Sequence, residues 1–107
     1  MINRTEKIAN IIKELSAQFL EKENNHTSLL SVTSCTVSPD LKRATIFISV
    51  LPIEKERGAL GFAKRNRGEL RAFLKKNLNI KNIPFIDIDI DQGEKNRQRI
   101  DELLRDK

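Results

Sequence analysis

Residues 44–51 read Ala-Thr-Ile-Phe-Ile-Ser-Val-Leu, in which every second side chain is aliphatic. Successive side chains of a β-strand point to opposite faces of the sheet, so this alternation predicts a strand with one buried face and one open face. One face is expected to hold Ala44, Ile46, Ile48 and Val50, and the other Thr45, Phe47, Ser49 and Leu51. Such a strand needs partner strands and a second layer that covers its apolar face.

Two further stretches are expected to complete the sheet. Residues 29–37 are rich in β-branched side chains, and the following Ser38-Pro39-Asp40 has turn chemistry, because proline fixes φ and aspartate bonds nearby backbone. These residues should form a hairpin with the strand at 44–51. A third strand is expected to begin at Ile83-Pro84-Phe85, after which isoleucines at 86, 88 and 90 alternate with Asp87, Asp89 and Asp91.

The rest of the chain has helical patterns. Residues 4–22 carry apolar side chains at three- and four-residue spacing, which predicts an amphipathic helix with Asn3 and Glu6 as a capping pair. Residues 54–79 have helical composition but include three glycines, so we expect a weak helix, an interruption near Asn66-Arg67-Gly68 and a better helix. Residues 23–28 are expected to form a loop, and residues 94–105 a short closing helix.

The resulting order is helix, strand, strand, helix, helix, strand, helix. With 107 residues there is room for one core, so we expect a single α+β domain over residues 1–107, with helices over one face of a three-stranded sheet. Cys35, the single cysteine, is expected to act as a small buried apolar residue. No apolar run approaches the roughly 20 residues of a membrane span.

The charge is concentrated in one segment. The chain has 20 basic and 15 acidic side chains, a net charge of +5, but residues 55–81 hold nine basic against two acidic side chains, a net of +7. Arg67, Arg71 and Lys75 are spaced four apart and would form a stripe along one helix, with Lys64 close to the same line. A phosphate backbone could follow this stripe, whereas the simpler alternative is a solvated basic face.

Three patterns that suggest other chemistry have simpler interpretations. Gly58-Ala59-Leu60-Gly61 matches the GXXG loop of KH domains, but it falls too soon after the second strand and carries no charge. Asp87, Asp89 and Asp91 could hold magnesium, although a solvated acidic strand face is the simpler interpretation. His26 has no partner that the sequence places near it, so a catalytic triad is unsupported. We therefore expect no catalytic residues, no metal and no cofactor.

The sequence resembles the bacterial ribosome-binding factor A family along nearly its whole length. The resemblance rests on Arg4 and the first helix, Val37-Ser38-Pro39-Asp40-Leu41, the strand at 44–51, Gly68-Glu69-Leu70-Arg71, Leu74-Lys75-Lys76 and Pro84. It implies a type II KH-like fold in which a helix–kink–helix element with an Ala-x-Gly signature replaces the GXXG loop. This chain has Asn66-Arg67-Gly68 at that place, so the glycine matches and the alanine does not.

The resemblance also implies a function. Proteins of this family bind the free small ribosomal subunit and assist late maturation of its 16S rRNA, including processing at the 5′ end, and they support growth in the cold. The expected partner is thus the free small subunit, bound by a cytoplasmic monomer without membrane or small-molecule ligand. The candidate RNA-binding residues are Lys64, Arg65, Asn66, Arg67, Gly68, Arg71, Lys75 and Lys76, with Arg4, Lys7, Lys42 and Arg43 as a second group.

Three other functions stay open at this point. A general KH-like RNA-binding module would act on other RNA and bind short single strands tightly. A magnesium-dependent enzyme would use the three aspartates. A basic adaptor would bind a protein partner at high salt.

Overall fold

The computed structural model describes residues 4–23 and 28–93. The elements are α1 (Arg4–Glu23), β1 (Leu29–Val37), β2 (Arg43–Leu51), a 3-10 turn (Ile53–Lys55), α2 (Glu56–Arg65), α3 (Arg67–Asn77) and β3 (Phe85–Ile90). The predicted order of helices and strands is confirmed for this part of the chain. The expected closing helix at 94–105, the capping role of Asn3 and the loop position of His26 lie outside the described residues.

The three strands form one sheet in the order β1-β2-β3. β1 and β2 pair antiparallel, which confirms the predicted hairpin, and the register shifts at a bulge between Val32 and Ser34. β2 and β3 pair parallel, in register from Arg43 opposite Phe85 to Ile48 opposite Ile90. A parallel pair needs a crossover connection, which α2 and α3 provide.

The helices cover one face of the sheet. The face of β2 that carries Ala44, Ile46, Ile48 and Val50 is buried, and the isoleucines of β3 face the same core. α1 contributes Ile8, Ile12 and Leu20, and α3 contributes Leu70 and Leu74. Helices on one face of a three-stranded sheet, with a break between α2 and α3, are the type II KH-like α+β arrangement that the resemblance implied.

A single residue, Asn66, separates α2 from α3. Its φ of −96° and ψ of 11° lie outside helical values. Its side-chain Nδ2 donates to the Phe62 carbonyl at 2.9 Å, and its backbone N–H lies 3.2 Å from the Phe62 and Ala63 carbonyls. The Asn66 carbonyl in turn accepts from the Leu70 N–H at 2.9 Å. Asn66 thus ends one helix and begins the next, so the predicted interruption is confirmed.

Two local predictions need correction. β3 begins at Phe85 rather than Ile83, because Pro84 has no N–H and the first bond at this end of β3 runs from the Phe85 N–H to the Lys42 carbonyl at 2.8 Å. Cys35 is half-buried rather than fully buried, although it packs against the core and burial raises the pKa of its thiol to about 12. Among the described residues, no helix is long and apolar enough to cross a membrane.

Candidate nucleic-acid interface

Arg67 and Arg71, at the start of α3, both reach toward β3. Arg67 Nη1 lies 3.4 Å from Asp87 Oδ1, and its guanidinium carbon is 5.7 Å from the centre of the Phe85 ring. Arg71 Nη2 donates to the Ile83 carbonyl at 3.3 Å. These contacts orient the two guanidinium groups while leaving both side chains accessible to solvent. The predicted arginine pair is therefore brought together at one place on the surface.

A groove of about 190 Å³ lies between these arginines and β3, and we call it the kink pocket. It is lined by Arg67, Gly68, Arg71, Phe85 and Ile86. Gly68 is exposed in the first turn of α3, and a side chain added there would meet nothing within 4 Å. The backbone N–H groups of a first helical turn have no partners within the helix, so a ligand in this groove can approach donors directly.

The remaining predicted residues around the break are placed differently. Lys64 and Lys75 are exposed, and neither lines the kink pocket. The Arg65 guanidinium folds back along α2, with Nη1 3.3 Å from the place that a Cβ on Gly61 would occupy. Lys76 is exposed, but each step along a helix turns about 100°, so it leaves the line of Arg67 and Arg71. The Asn66 side chain is bonded within the break between α2 and α3, so it is not a free contact for RNA.

Part of the second predicted group lines another groove of about 250 Å³, which we call the turn pocket. The predicted residues Arg4 and Lys42 lie there together with Lys81, and its other lining residues are Asp40, Leu41, Ile80 and Asn82. Lys7 and Arg43 are exposed but line neither pocket. Arg43 is the register partner of Phe85, so it lies opposite Phe85 on the neighbouring strand and on the open face of the sheet.

Two surface residues were missed as candidates. Phe85 is 59% exposed and forms one wall of the kink pocket. The sequence could have predicted its exposure, because Phe85, Asp87 and Asp89 are two residues apart and therefore lie on the same open face of β3. Lys81 was counted in the basic segment but not as a site residue. It follows α3 in an irregular connection, where no helical or strand periodicity indicates which way its side chain points.

The aspartates at positions 87, 89 and 91, the first two in β3 and the third directly after it, are engaged in separate contacts. Asp87 Oδ1 and Asp89 Oδ1 each accept the N–H of the following isoleucine at 2.8 Å, and Asp91 Oδ2 accepts from Thr33 Oγ1 at 2.6 Å. Within residues 4–23 and 28–93, no three acidic, cysteine or histidine side chains come close enough to hold a metal ion. The chance GXXG match at 58–61 lies within α2, so it forms no nucleotide-clamping loop.

The family model of ribosome-binding factor A matches residues 4–104. The chain belongs to the ribosome-binding factor A family. Among relatives in this family, the protein of Geobacter sulfurreducens is 32% identical over 110 residues, which covers 99% of this chain and 92% of the relative. The protein of Coxiella burnetii strain RSA 493 is 28% identical over 106 residues, which covers 97% of this chain and 89% of the relative.

Solved structures of family members have the same fold. The crystal structure of ribosome-binding factor A from Thermus thermophilus has a TM-score of 0.73 at 18% identity, covering 80% of this chain and 93% of that one. A Thermus thermophilus homology model fitted into a cryo-EM map of a 30S–RbfA complex has a TM-score of 0.69 at 19% identity, covering 78% and 91%. These likenesses confirm the KH-like fold.

Proposed function

We propose that this chain is a ribosome assembly factor that binds the free small ribosomal subunit and acts on its 16S rRNA by binding rather than by catalysis. The observation that carries the proposal is the family match over residues 4–104. The relative fitted into a 30S complex supports the choice of the small subunit as partner. The finer role that we propose is assistance in late maturation, including processing of the 16S rRNA at its 5′ end.

The kink pocket and its rim are the proposed RNA contact. Phosphate oxygens are the usual partners of arginine and lysine in such interfaces, and these contacts set position rather than read sequence. Arg67 and Arg71 would bind phosphates first, because their guanidinium groups are already oriented toward the groove. Lys64 and Lys75 would extend the contact along the exposed surface on either side. Gly68 would allow the RNA backbone to approach the first turn of α3.

The proposed mechanism is population shift. A protein that binds one conformation of immature RNA better than the others raises the share of that conformation. The chain would hold the rRNA in a form that other proteins process, and it would leave once the mature form no longer fits. Slow RNA rearrangement at low temperature would make this help most valuable in the cold. The protein would act as a cytoplasmic monomer with a single domain.

Co-sedimentation with purified ribosomal particles tests the proposal. Wild-type protein is mixed with small subunits, large subunits or assembled ribosomes across a salt series, and the pelleted protein is measured. Retention by free small subunits alone is the expected result, since the proposed role ends before translation. Equal retention by all particles would contradict the proposal and favour a general KH-like module that acts on other RNA.

The RNA surface needs its own variants. Arg67→Gln/Arg71→Gln removes the oriented pair, while Lys64→Gln/Lys75→Gln removes the same charge without breaking a described contact. The matched control is Lys22→Gln/Lys55→Gln, which changes exposed lysines at distant positions. Both surface variants should lose small-subunit retention at lower salt than the control does. If the surface variants are retained as well as the control, the proposed function still stands, but the RNA contact lies elsewhere on the protein.

A further inference from the structure

The turn pocket gathers three cations from separate parts of the chain. Arg4 comes from the start of α1, Lys42 from the end of the β1–β2 turn and Lys81 from the connection between α3 and β3. Residues this far apart in sequence meet only in the folded chain. The groove of about 250 Å³ offers room for a sugar-phosphate unit, and the Asn82 side chain adds amide donors to its lining.

Asp40 is the acidic residue of this lining, and its carboxylate already accepts hydrogen bonds from residues of the turn. Its Oδ1 accepts from Ser38 Oγ at 2.6 Å and from the Lys42 N–H at 3.1 Å. The Ser38 hydrogen bond is the main cause of a lowered pKa for this carboxyl, so it is ionised at neutral pH. With three cations against one carboxylate, the lining keeps a net charge of +2, which matches an anion of low charge such as a phosphodiester.

One backbone hydrogen bond joins a residue of the turn pocket to a residue of the kink pocket. The Phe85 N–H donates to the Lys42 carbonyl at 2.8 Å, which joins the turn to the beginning of β3. Arg43, the next residue along, is the register partner of Phe85, and paired strands lie about 4.8 Å apart. Phe85 therefore contacts a residue of each pocket, the Lys42 carbonyl through its N–H and the Arg67 guanidinium through its exposed ring. An exposed aromatic ring whose residue links the cations of both pockets suits a nucleotide whose base stacks and whose phosphates are held.

We propose that the turn pocket is a phosphate-binding site for single-stranded RNA, and that one strand runs from it across Phe85 to the kink pocket. This inference rests on the proposed function, because it specifies the form of RNA that the same surface binds. A duplex keeps its bases stacked and presents none to Phe85, whereas an unpaired strand can place a base on the ring.

Equilibrium binding of short RNA tests the inference. The probes are a single-stranded oligouridylate of about 10 nucleotides, a length within the roughly 4–16 that a small single-strand-binding fold covers, and a duplex of equal length. The test variant is Lys42→Gln/Lys81→Gln, and the control is again Lys22→Gln/Lys55→Gln. Lys22 lies in the last turn of α1, about 27 Å from Arg4 along the helix, and Lys55 follows the opposite end of β2.

The salt dependence of binding gives the quantitative readout. Each phosphate contact to a single strand contributes about 0.7 to the slope of log affinity against log salt. Lys42→Gln/Lys81→Gln should reduce that slope by about 1.4 for the oligouridylate, while the control keeps the wild-type slope. Asp40→Asn should bind the oligouridylate more tightly than wild type, since asparagine keeps an oxygen acceptor for the turn but removes the negative charge.

The possible outcomes separate the inference from the proposed function. If the Lys42 and Lys81 variant behaves like the control while Arg67→Gln/Arg71→Gln loses binding, the turn pocket is no phosphate site and the kink surface stands. Equal affinity of wild type for duplex and single strand would overturn the single-strand path. Retention by small subunits in co-sedimentation, together with no binding of either probe, would overturn this inference and leave the assembly role in place.

Discussion

Arg67 is held by its own protein before any RNA arrives. Its ion pair with Asp87 joins side chains that are 40% and 49% exposed, and such surface pairs contribute about 0–1 kcal/mol to stability. A phosphate can therefore displace Asp87 at small cost. The guanidinium has already lost part of its rotational freedom above the Phe85 ring, which lowers the entropy cost of binding. The pair is thus better understood as a way to orient Arg67 than as a source of stability.

Phe85→Leu should separate stacking from folding. Leucine keeps an apolar side chain at a position that is 59% exposed, so the free energy of unfolding should change by less than about 1 kcal/mol, mostly through the lost Arg67 contact. Stacking on an aromatic ring contributes about 1–3 kcal/mol per base, so single-strand affinity should fall by about fivefold or more. Urea unfolding and fluorescence anisotropy measure the two quantities. Unchanged affinity would remove Phe85 from the RNA path.

Cys35 should be an unreactive thiol in the folded protein. Its pKa of about 12, raised by burial, leaves about one thiolate in ten thousand at pH 8, against about one in ten for a thiol at the ordinary value of 9.0. Iodoacetamide should therefore label the native protein about a thousandfold more slowly than the urea-unfolded chain. Mass spectrometry follows the labelling, and Cys35→Ser, which has no thiol, is the control for labelling at other side chains. Similar rates in both states would mean that the thiol is not shielded.

The same shift has a consequence for alkaline stability. Because the folded-state pKa lies above the unfolded value, the stabilisation from Cys35 is complete below about pH 9 and is lost as the pH rises toward 12. The difference in unfolding free energy between wild type and Cys35→Ser should therefore shift against wild type across this window. If this difference in unfolding free energy stays constant from pH 8 to about 12, the pKa of Cys35 is not raised by folding.

At the scale of elements, the break between α2 and α3 offers a test with a built-in control. Gly68 is the second residue of α3 and Gly58 the third residue of α2, and a Cβ on either would stand in open space. No glycine among the described residues has a positive φ. Replacing either by alanine should therefore stabilise the protein by about 0.4–1 kcal/mol, because alanine loses less backbone entropy on folding.

Only one of the two alanine variants should affect RNA binding. Gly68 lines the kink pocket, so a methyl group there would keep the RNA backbone away from the first turn of α3. Gly58 lies in neither pocket. We expect Gly68→Ala to melt higher and bind RNA less tightly, by about fivefold, and Gly58→Ala to melt higher with unchanged affinity. Calorimetry and small-subunit co-sedimentation measure the two effects. Equal affinity in both variants would show that RNA does not approach Gly68 closely.

Elements with a strong period were the ones that the sequence could predict. Alternation in β2 and β3 indicated which side chains share a face, since side chains two residues apart lie on the same side of a strand. The break at Asn66 followed from the weak helix pattern and Gly68. The expected start of β3 lies two residues early, because the apolar run Ile83-Pro84-Phe85 continues through a proline whose missing N–H delays the ladder to Phe85.

The turn pocket, in contrast, could not be predicted from local pattern. Its residues come from three segments, and their meeting depends on how the hairpin turn is oriented. Leu41 adopts a φ of 61°, a left-handed conformation that costs a non-glycine residue about 1–2 kcal/mol. The hydrogen bonds of Ser38 with Arg43 and Asp40, and the packing of Leu41 on the core, hold this conformation. Contacts of this kind form only in the folded chain, so the spacing of residues in the sequence does not reveal them.

At the scale of the whole molecule, parallel pairing concentrates the positive charge. Because β2 and β3 run in the same direction, Arg43 and Phe85 begin their strands at the same end of the sheet. Lys42 of the turn pocket and Phe85 of the kink pocket lie at that end and share a backbone hydrogen bond, while β3 continues toward Asp89. Charge is screened beyond about 8 Å at physiological salt, so the local excess rather than the net charge of +5 governs what an approaching polyanion meets.

This uneven charge should appear in the kinetics of binding to small subunits. Electrostatic steering raises association rates by about tenfold or more at low salt and fades as salt increases. We expect the association rate of wild type to fall steeply between about 50 and 500 mM salt, measured by stopped-flow fluorescence. Lys42→Gln/Lys81→Gln should associate more slowly at low salt and approach wild type at high salt, because both lysines lie at the charged end.

The distant control decides between steering and net charge. Lys22→Gln/Lys55→Gln removes the same two charges from positions outside both pockets, so its association rate should stay close to wild type at every salt concentration. If the two double variants slow association equally, the total charge governs the encounter and the placement of cations is irrelevant to it. If only the turn-pocket variant is slow, the end of the sheet where β2 and β3 begin is the side that meets the RNA first.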